Sequence, residues 1–309
     1  MNYYFAPVQG HTDAAYRDLH SSLYGGSATT YFTPFIRLEH GALRKKDLKE
    51  AESALDGEAD CIAQVIFRDE TELIGLVETL KESGHRRLDI NMGCPFPLQT
   101  SRGRGAATIA NPACAAALCR VVEENPDIEF SVKMRLGLTD PDEWRKLMPT
   151  LNDLRLHHVA IHPRVSADQY SAPLRMETYA ELLEASSNPV VYSGEILTPD
   201  DAAALQAQYP KTAGIMIGRG ALGRPSLIAE CCEGSEWLKE KRLETMMVFH
   251  DALLDHYRES LVGGDHQVLD KIRPFWEYAE AEIGRKSWKA IRKASNMAKY
   301  ETAVASIDI

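Results

Sequence analysis

Eight short β-rich runs, separated by longer stretches of helical periodicity, constrain the fold more than any other feature of this chain. They are YYFAPV from Tyr3, ATTYFT from Ala28, CIAQVIF from Cys61, RLDINMG from Arg87, FSVKMRL from Phe130, HHVAIHP from His157, PVVYSG from Pro189 and AGIMIGRG from Ala213. Between them lie segments such as TELIGLVETLKESG and PACAAALCRVVEENP, where apolar residues recur every three or four positions before a Gly or Pro stop. Strand, helix, strand, repeated, requires parallel pairing with right-handed crossovers, and eight such units close into a (β/α)₈ TIM barrel. An open doubly wound sheet needs no eighth unit, and no GxGxxG opens the first helix. From Ser235 onward the β-rich runs stop and three helical stretches follow, KRLETMMVFHDALLDHYRESL, VLDKIRPFWEYAEAEI and SWKAIRKASNMAKYETAVASI, with Val262 to Asp265 as a turn. The reading is a barrel over residues 1–234 and a small all-helical domain over 235–309. A length of 309 residues suits a barrel of about 250 residues with an appendage.

Charge and cysteine usage narrow the function classes. The 44% hydrophobic and 26% charged residues exclude a disordered or fibrous chain. No apolar run reaches the roughly 20 residues of a membrane helix, and MNYYFAPVQG lacks the parts of a signal peptide, so a cytoplasmic protein is expected. The six cysteines show no CxxC pair, so neither a metal site nor a disulfide scaffold is expected; Cys61, Cys114, Cys119, Cys231 and Cys232 are read as small buried apolar residues. The net charge of −10 argues against a surface coated for nucleic acid. Residues 239–309, however, carry twelve Lys/Arg against twelve Asp/Glu, so the acidic excess lies earlier. Arg285, Lys286, Lys289, Arg292, Lys293 and Lys299 follow one another without an acid, which predicts one positive helix face.

Barrel chemistry sits at the C-terminal strand ends, where polar residues are informative. Pro7 and Gln9 end the first strand, Gln64 lies in the third, and Asn91 and Cys94 end the fourth. Lys133 and Arg135 close the fifth, His162 and Arg164 the sixth, Ser193 to Glu195 the seventh, and Gly218, Arg219 and Gly220 the eighth. Gln64 and Lys133 interrupt apolar runs, and burying them unpaired costs several kcal/mol, so a ligand in the mouth is expected to satisfy them. Glycines after the seventh and eighth strands mark the place where barrels commonly hold phosphate. A phosphorylated planar cofactor fits this pattern.

The ordered set DINMGCP, GRGAA, VKMRLG, HPRVSADQY, SGEI and MIGRGALGRP, with APVQGHTD at the start, resembles the tRNA-dihydrouridine synthases, FMN-dependent enzymes that reduce uridine in tRNA. The resemblance spans residues 5–228 and is weaker in the tail. It implies that Pro7, Val8 and Gln9 line the flavin, that Gln64 and Lys133 bind its ring, and that His162 sits against it. By the same resemblance Ser193, Gly194, Glu195, Gly218 and Arg219 hold the phosphate. Asn91, Arg135, Arg164, Gln169 and Tyr170 would contact the flipped uracil, and Cys94 is the general acid. The tail would grip tRNA through Arg285, Lys286, Lys289, Arg292 and Lys293, with Trp288 stacking on a base and Arg102 and Arg104 as secondary contacts.

NADPH is the implied reductant, and a monomer without metal is expected. Val8, Ser193, Arg104, Pro163 and Pro97 depart from the family's usual Met, Asn, Gly, Gly and Lys; the last of these and Arg104 bear on the Cys94 loop. Glu195 and TPFIRL from Thr33 lean toward the subfamily acting on position 16 of tRNA. Two competing readings are an FMN barrel acting on a small pyrimidine, as in dihydroorotate dehydrogenase, and a non-catalytic RNA-binding relative.

Overall fold

The computed structural model describes residues 1–25 and 29–308; Ala28, within the second predicted strand, and Ile309 lie outside the described residues. The eight barrel strands are β1 Asn2–Phe5, β2 Thr29–Phe32, β3 Cys61–Val65, β4 Arg87–Met92, β5 Glu129–Gly137, β6 Val159–Val165, β7 Val190–Ser193 and β8 Gly214–Ile217. All pair in parallel with their sequence neighbours, and β1 closes on β8, with Phe5 opposite Ile217. A hairpin of Leu38–Glu39 with Ala42–Leu43 is an addition the sequence reading did not contain. Its turn puts His40 and Gly41 at positive φ (52° and 81°), the geometry a two-residue hairpin demands.

Register decides what the mouth contains. Residues directly opposite on parallel neighbours share a face, and Gln64 lies opposite Asp89, Asn91 opposite Lys133, and Arg135 opposite His162. Tyr4, Ala6, Phe32, Ile62, Ala160, Val191 and Met216 form a separate apolar cluster from the same alternating positions, one layer below. This layer fills the barrel with side chains, so the interior is a packed plug with a polar upper surface.

The tail joins this body through one continuous hydrophobic cluster that contains residues of both parts. Phe249 packs on Tyr16 with ring centroids 4.7 Å apart. Asp13 caps the helix Ala14–Tyr24 and also takes Tyr257 Oη (2.9 Å) and Lys271 Nζ (2.5 Å) from the tail. The three predicted tail helices are divided in the structure. Lys239–Ser260 is continuous, but Pro274 turns the second stretch into Gly264–Ile272, a 3₁₀ turn and the short helix Glu280–Ile283. Asn296 caps a new helix, Met297–Val304, so the basic stretch is not one helix from Arg285 to Lys299; it ends at Lys293. Among the described residues no single helix is long and apolar enough to cross a membrane.

Candidate active site

Above the apolar plug the mouth holds a cavity of about 460 Å³, lined by Pro7, Val8, Gln9, Gln64, Asn91, Cys94, Lys133, Arg135, His162, Gln169 and Tyr170, among others. It continues into a niche of about 90 Å³ formed by Ser193, Gly194, Gly218 and Arg219, sharing Pro7, Val8, Lys133, His162 and Tyr170 with the larger chamber. The residues expected to bind a ring and those expected to bind a phosphate thus meet at adjoining ends of one cleft. Gly218 borders the niche, where a Cβ would make ordinary contacts with Ala6 Cβ (3.4 Å) and Val8 Cγ2 (3.8 Å). Arg219 borders it with its guanidinium 4.0 Å from the Tyr170 ring centroid, and Arg135 approaches the same ring at 5.2 Å.

The floor carries positive charge that no ion pair balances among the described residues. Lys133 makes no hydrogen bond or ion pair with protein among the described residues, and burial with the neighbouring Arg135 cation pulls its ammonium down to about 8. Arg135 is 2% exposed and donates through Nη1 to the carbonyls of Val165 (2.9 Å) and Gln169 (2.7 Å), while its buried Nη2 has no partner. Gln64 gives one N–H to Asp89 (2.7 Å) and accepts from Asn91 Nδ2 (2.7 Å), leaving a second N–H and a lone pair. An unpaired ammonium and a half-used amide form a donor set suited to an electron-rich ring edge bearing carbonyls, with the orphaned Arg135 N–H left for a second polar ring. With the cationic, glycine-bordered niche beyond, these residues fit a flavin mononucleotide.

Cys94 lines the same chamber, on the loop after β4 and so beside β5, the strand of Lys133 and Arg135. Asn91 Oδ1 accepts the N–H groups of Gly93 (3.1 Å) and Cys94 (2.9 Å), which folds the loop back onto its strand end. Gly105, at φ 59°, packs beneath it; a Cβ there would come within 2.6 Å of the Cys94 carbonyl oxygen. Burial pushes the Cys94 thiol up, opposed by the Phe96 backbone N–H and by the Arg135 and Lys133 charges. The thiol therefore stays protonated at neutral pH, and those charges stabilise the thiolate left once the proton is given away.

His162 is held neutral by burial and by the surrounding Arg135, Lys133, Arg164 and Arg219 cations. Arg164 donates to its Nε2 (3.2 Å), so the ring proton resides on Nδ1.

Several expected contacts lie elsewhere. Arg164 is 2% exposed and spends its guanidinium on His162, the Ala172 carbonyl (2.6 Å) and Glu195 (2.7 Å), so it braces the loops after β6 and β7 instead of facing substrate. The Glu195 carboxylate points to Arg164 and, at 3.5 Å, Arg219, which leaves only its backbone for an anion. Arg104 is no RNA contact: it is buried at 4% exposure and forks onto Glu72, Nε to Oε2 at 3.1 Å. Pro97 opens the short helix Pro97–Thr100, a position where its missing N–H is harmless, so both departures on the Cys94 loop are accommodated. Arg104→Ala removes the fork from Glu72, which keeps the Arg68 guanidinium (3.2 Å) and backbone N–H (3.2 Å), and is expected to cost about 1–3 kcal/mol of stability, measured by denaturant unfolding. Cys232 is exposed and Cys119 half-buried, unlike the buried residues expected.

Sequence reasoning also passed over Asp89, Ser131, Phe35, Phe96, His11 and Tyr278. Asp89 is fully buried and takes Ser131 Oγ at 2.6 Å and Gln64 Nε2 at 2.7 Å. Its signal was present, an acid two residues before Asn91 in an otherwise apolar strand. Tyr278 comes from the tail and lines both chambers, which no pattern in the tail announces. Beside it, Trp288 Nε1 donates to the Glu277 carbonyl (3.2 Å), and the Arg292 guanidinium covers its ring at 4.5 Å, so that indole is not free to stack on a base. Arg285, Lys286, Lys289, Arg292 and Lys293 are all exposed on the helix Arg285–Lys293, whose Ser287 and Ile291 face inward.

The model of the Dihydrouridine synthase (Dus) family matches residues 4–307. The chain belongs to the dihydrouridine synthase family. It is 25% identical over 303 residues to a probable tRNA-dihydrouridine synthase of Treponema pallidum, covering 93% of this chain and 87% of the relative. It is 30% identical over 227 residues to probable tRNA-dihydrouridine synthase 2 of Bacillus subtilis, covering 71% and 69%. It is 27% identical to the tRNA-dihydrouridine(16) synthase of Pseudomonas putida, covering 92% and 83%. Among solved structures, a morphinone reductase mutant in complex with tetrahydroNAD shares the barrel at a TM-score of 0.52 and 12% identity, covering 76% of this chain and 87% of that one. Membership in the dihydrouridine synthase family thus extends through the helical tail.

Proposed function

We propose that this chain reduces a uridine of tRNA to 5,6-dihydrouridine, using FMN held in the mouth and NADPH as the reductant. The observation that carries the reading is a protonated Cys94 that lines one chamber with Lys133 and Arg135, whose charges act on its thiol, and the opening of that chamber into a cationic niche. Gln64 and Lys133 would hold the ring, Pro7, Val8, Gln9 and His162 would line it, and Ser193, Gly194, Gly218 and Arg219, with the Glu195 backbone, the phosphate. When bound and reduced, the flavin supplies a hydride for C6 of uracil. Cys94 gives a proton to C5, and the Lys133 and Arg135 fields stabilise its thiolate. The spare N–H of Asn91 and the orphaned Nη2 of Arg135 hold the uracil carbonyls, with Gln169 and Tyr170 closing the wall.

A stacked uridine cannot reach this depth, so the base must leave the stack at a cost of a few kcal/mol, offset by contacts to phosphate. The five cations of Arg285–Lys293 are suited to that work. Replacing Lys289, Arg292 and Lys293 together with Glu is expected to raise KM for tRNA about tenfold or more and to flatten its salt dependence, with flavin content unchanged; kinetics across a salt series check this. The tail's contribution of Tyr278 to the chamber favours tRNA over a free pyrimidine as substrate. Position 16 is the proposed target, supported by Glu195, the TPFIRL stretch and the likeness to the Pseudomonas putida relative, while relatives 30–32% identical over 61% of this chain are named for position 47. The test is mass-spectrometric mapping of dihydrouridine in tRNA from cells with and without this gene. Loss at position 16 alone is expected, and identical maps contradict the reading.

A further inference from the structure

Five polar groups form a hydrogen-bonded chain with one direction. It starts at the Gly93 and Cys94 N–H groups, passes to Asn91 Oδ1, from Asn91 Nδ2 to Gln64 Oε1, and from Gln64 Nε2 to Asp89 Oδ2. The ends give the chain its direction: a backbone N–H only donates, and Asp89, pushed up by burial but drawn back by the Ser131 and Gln64 hydrogen bonds and the Lys133 charge, accepts at both oxygens. The two amides between them can satisfy the chain in one orientation only. Ser131 Oγ, at 2.6 Å from the other carboxylate oxygen, locks the Asp89 rotamer. Asp89 lies wholly inside the barrel and lines neither chamber, so it touches no ligand.

We infer that Asp89 is a positioning residue for the reaction: as terminal acceptor it orients the Gln64 and Asn91 amides and, through them, holds the Cys94 loop against its strand. The inference rests on the reading of Cys94 as the acid. Without that acceptor the Gln64 amide is free to turn its NH₂ toward the Asn91 NH₂, a donor-to-donor contact that releases the loop.

The test compares Asp89→Asn and Ser131→Ala with the unaltered holoprotein. Asp89→Asn keeps the shape but lets either end of the new amide face Gln64. Expected are retained flavin, NADPH oxidation without tRNA within about twofold, and a fall of about tenfold or more in kcat for dihydrouridine at an unchanged KM for tRNA. Iodoacetamide labelling of Cys94 relative to exposed Cys232, read by peptide mass spectrometry, is expected to rise about threefold or more. Ser131→Ala should move kcat and labelling the same way by less, and it decides the matter if Asp89→Asn does not fold. An unchanged or lower labelling ratio, a wild-type kcat, or parallel loss of flavin and both activities overturns the proposal. Cys94→Ala, run alongside, separates the two ideas. Full dihydrouridine formation there removes the acid, whereas an inactive Cys94→Ala beside an unaffected Asp89→Asn removes only the positioning role.

Discussion

Cys94→Ala is expected to stay yellow and to oxidise NADPH normally, while its dihydrouridine formation on tRNA falls by about two to four orders of magnitude, the usual worth of a positioned general acid. The split follows from geometry. Cys94 lines the larger chamber and supplies nothing to the niche of Ser193, Gly194, Gly218 and Arg219, so cofactor binding does not need it. Its N–H, which anchors the loop through Asn91, survives the substitution. Only the proton for C5 is lost. Assays of flavin absorbance, tRNA-independent NADPH oxidation and nucleoside mass spectrometry on one preparation check all three parts, and undiminished dihydrouridine formation would remove Cys94 from the mechanism.

Lys133→Met is expected to lose flavin. The Met side chain keeps most of the stem and removes the one cation on the floor that has no partner in the protein among the described residues. A charge-assisted hydrogen bond is worth about 1.5–3 kcal/mol, so FMN affinity should drop about ten- to a hundredfold and the protein should purify nearly colourless. Acidity adds a second signature. Without ligand the ammonium is held down to about 8, so above that pH Lys133 is mostly neutral and Arg135 alone keeps the floor charged. An electron-rich ring binds the protonated form; affinity is therefore full below pH 8 and declines as pH rises past it. In Lys133→Met that decline should vanish. Titration of the apoprotein with FMN between pH 7 and 9 checks both effects, and equal affinity in the two proteins would contradict the placement of Lys133.

The barrel was legible because period-two strands and period-three-to-four helices alternate without interruption, and because polar residues in apolar strands mark the mouth. Gln64, Lys133 and Cys94 were found that way, or by family motif, and register explains their convergence. What escaped depends on pairing across distance. Arg104 was taken as an RNA contact because its partner Glu72 lies 32 positions away and no local pattern links them. Arg164 reads as a strand-end cation, and only the fold shows it consumed by Glu195 and the Ala172 carbonyl. Tyr278 reaches the chamber because Pro274 breaks a helix that the spacing had made continuous. Asp89 was visible as an anomaly, but its meaning needs the partners that β3 and β5 bring to it.

The most direct measurement incubates the purified protein with NADPH and a tRNA transcript that carries no modifications, then weighs its nucleosides. A gain of two hydrogens at a single uridine, dependent on bound flavin, is predicted. A flavin-loaded protein that oxidises NADPH yet leaves every uridine unreduced, in transcript and in native tRNA alike, would contradict the account.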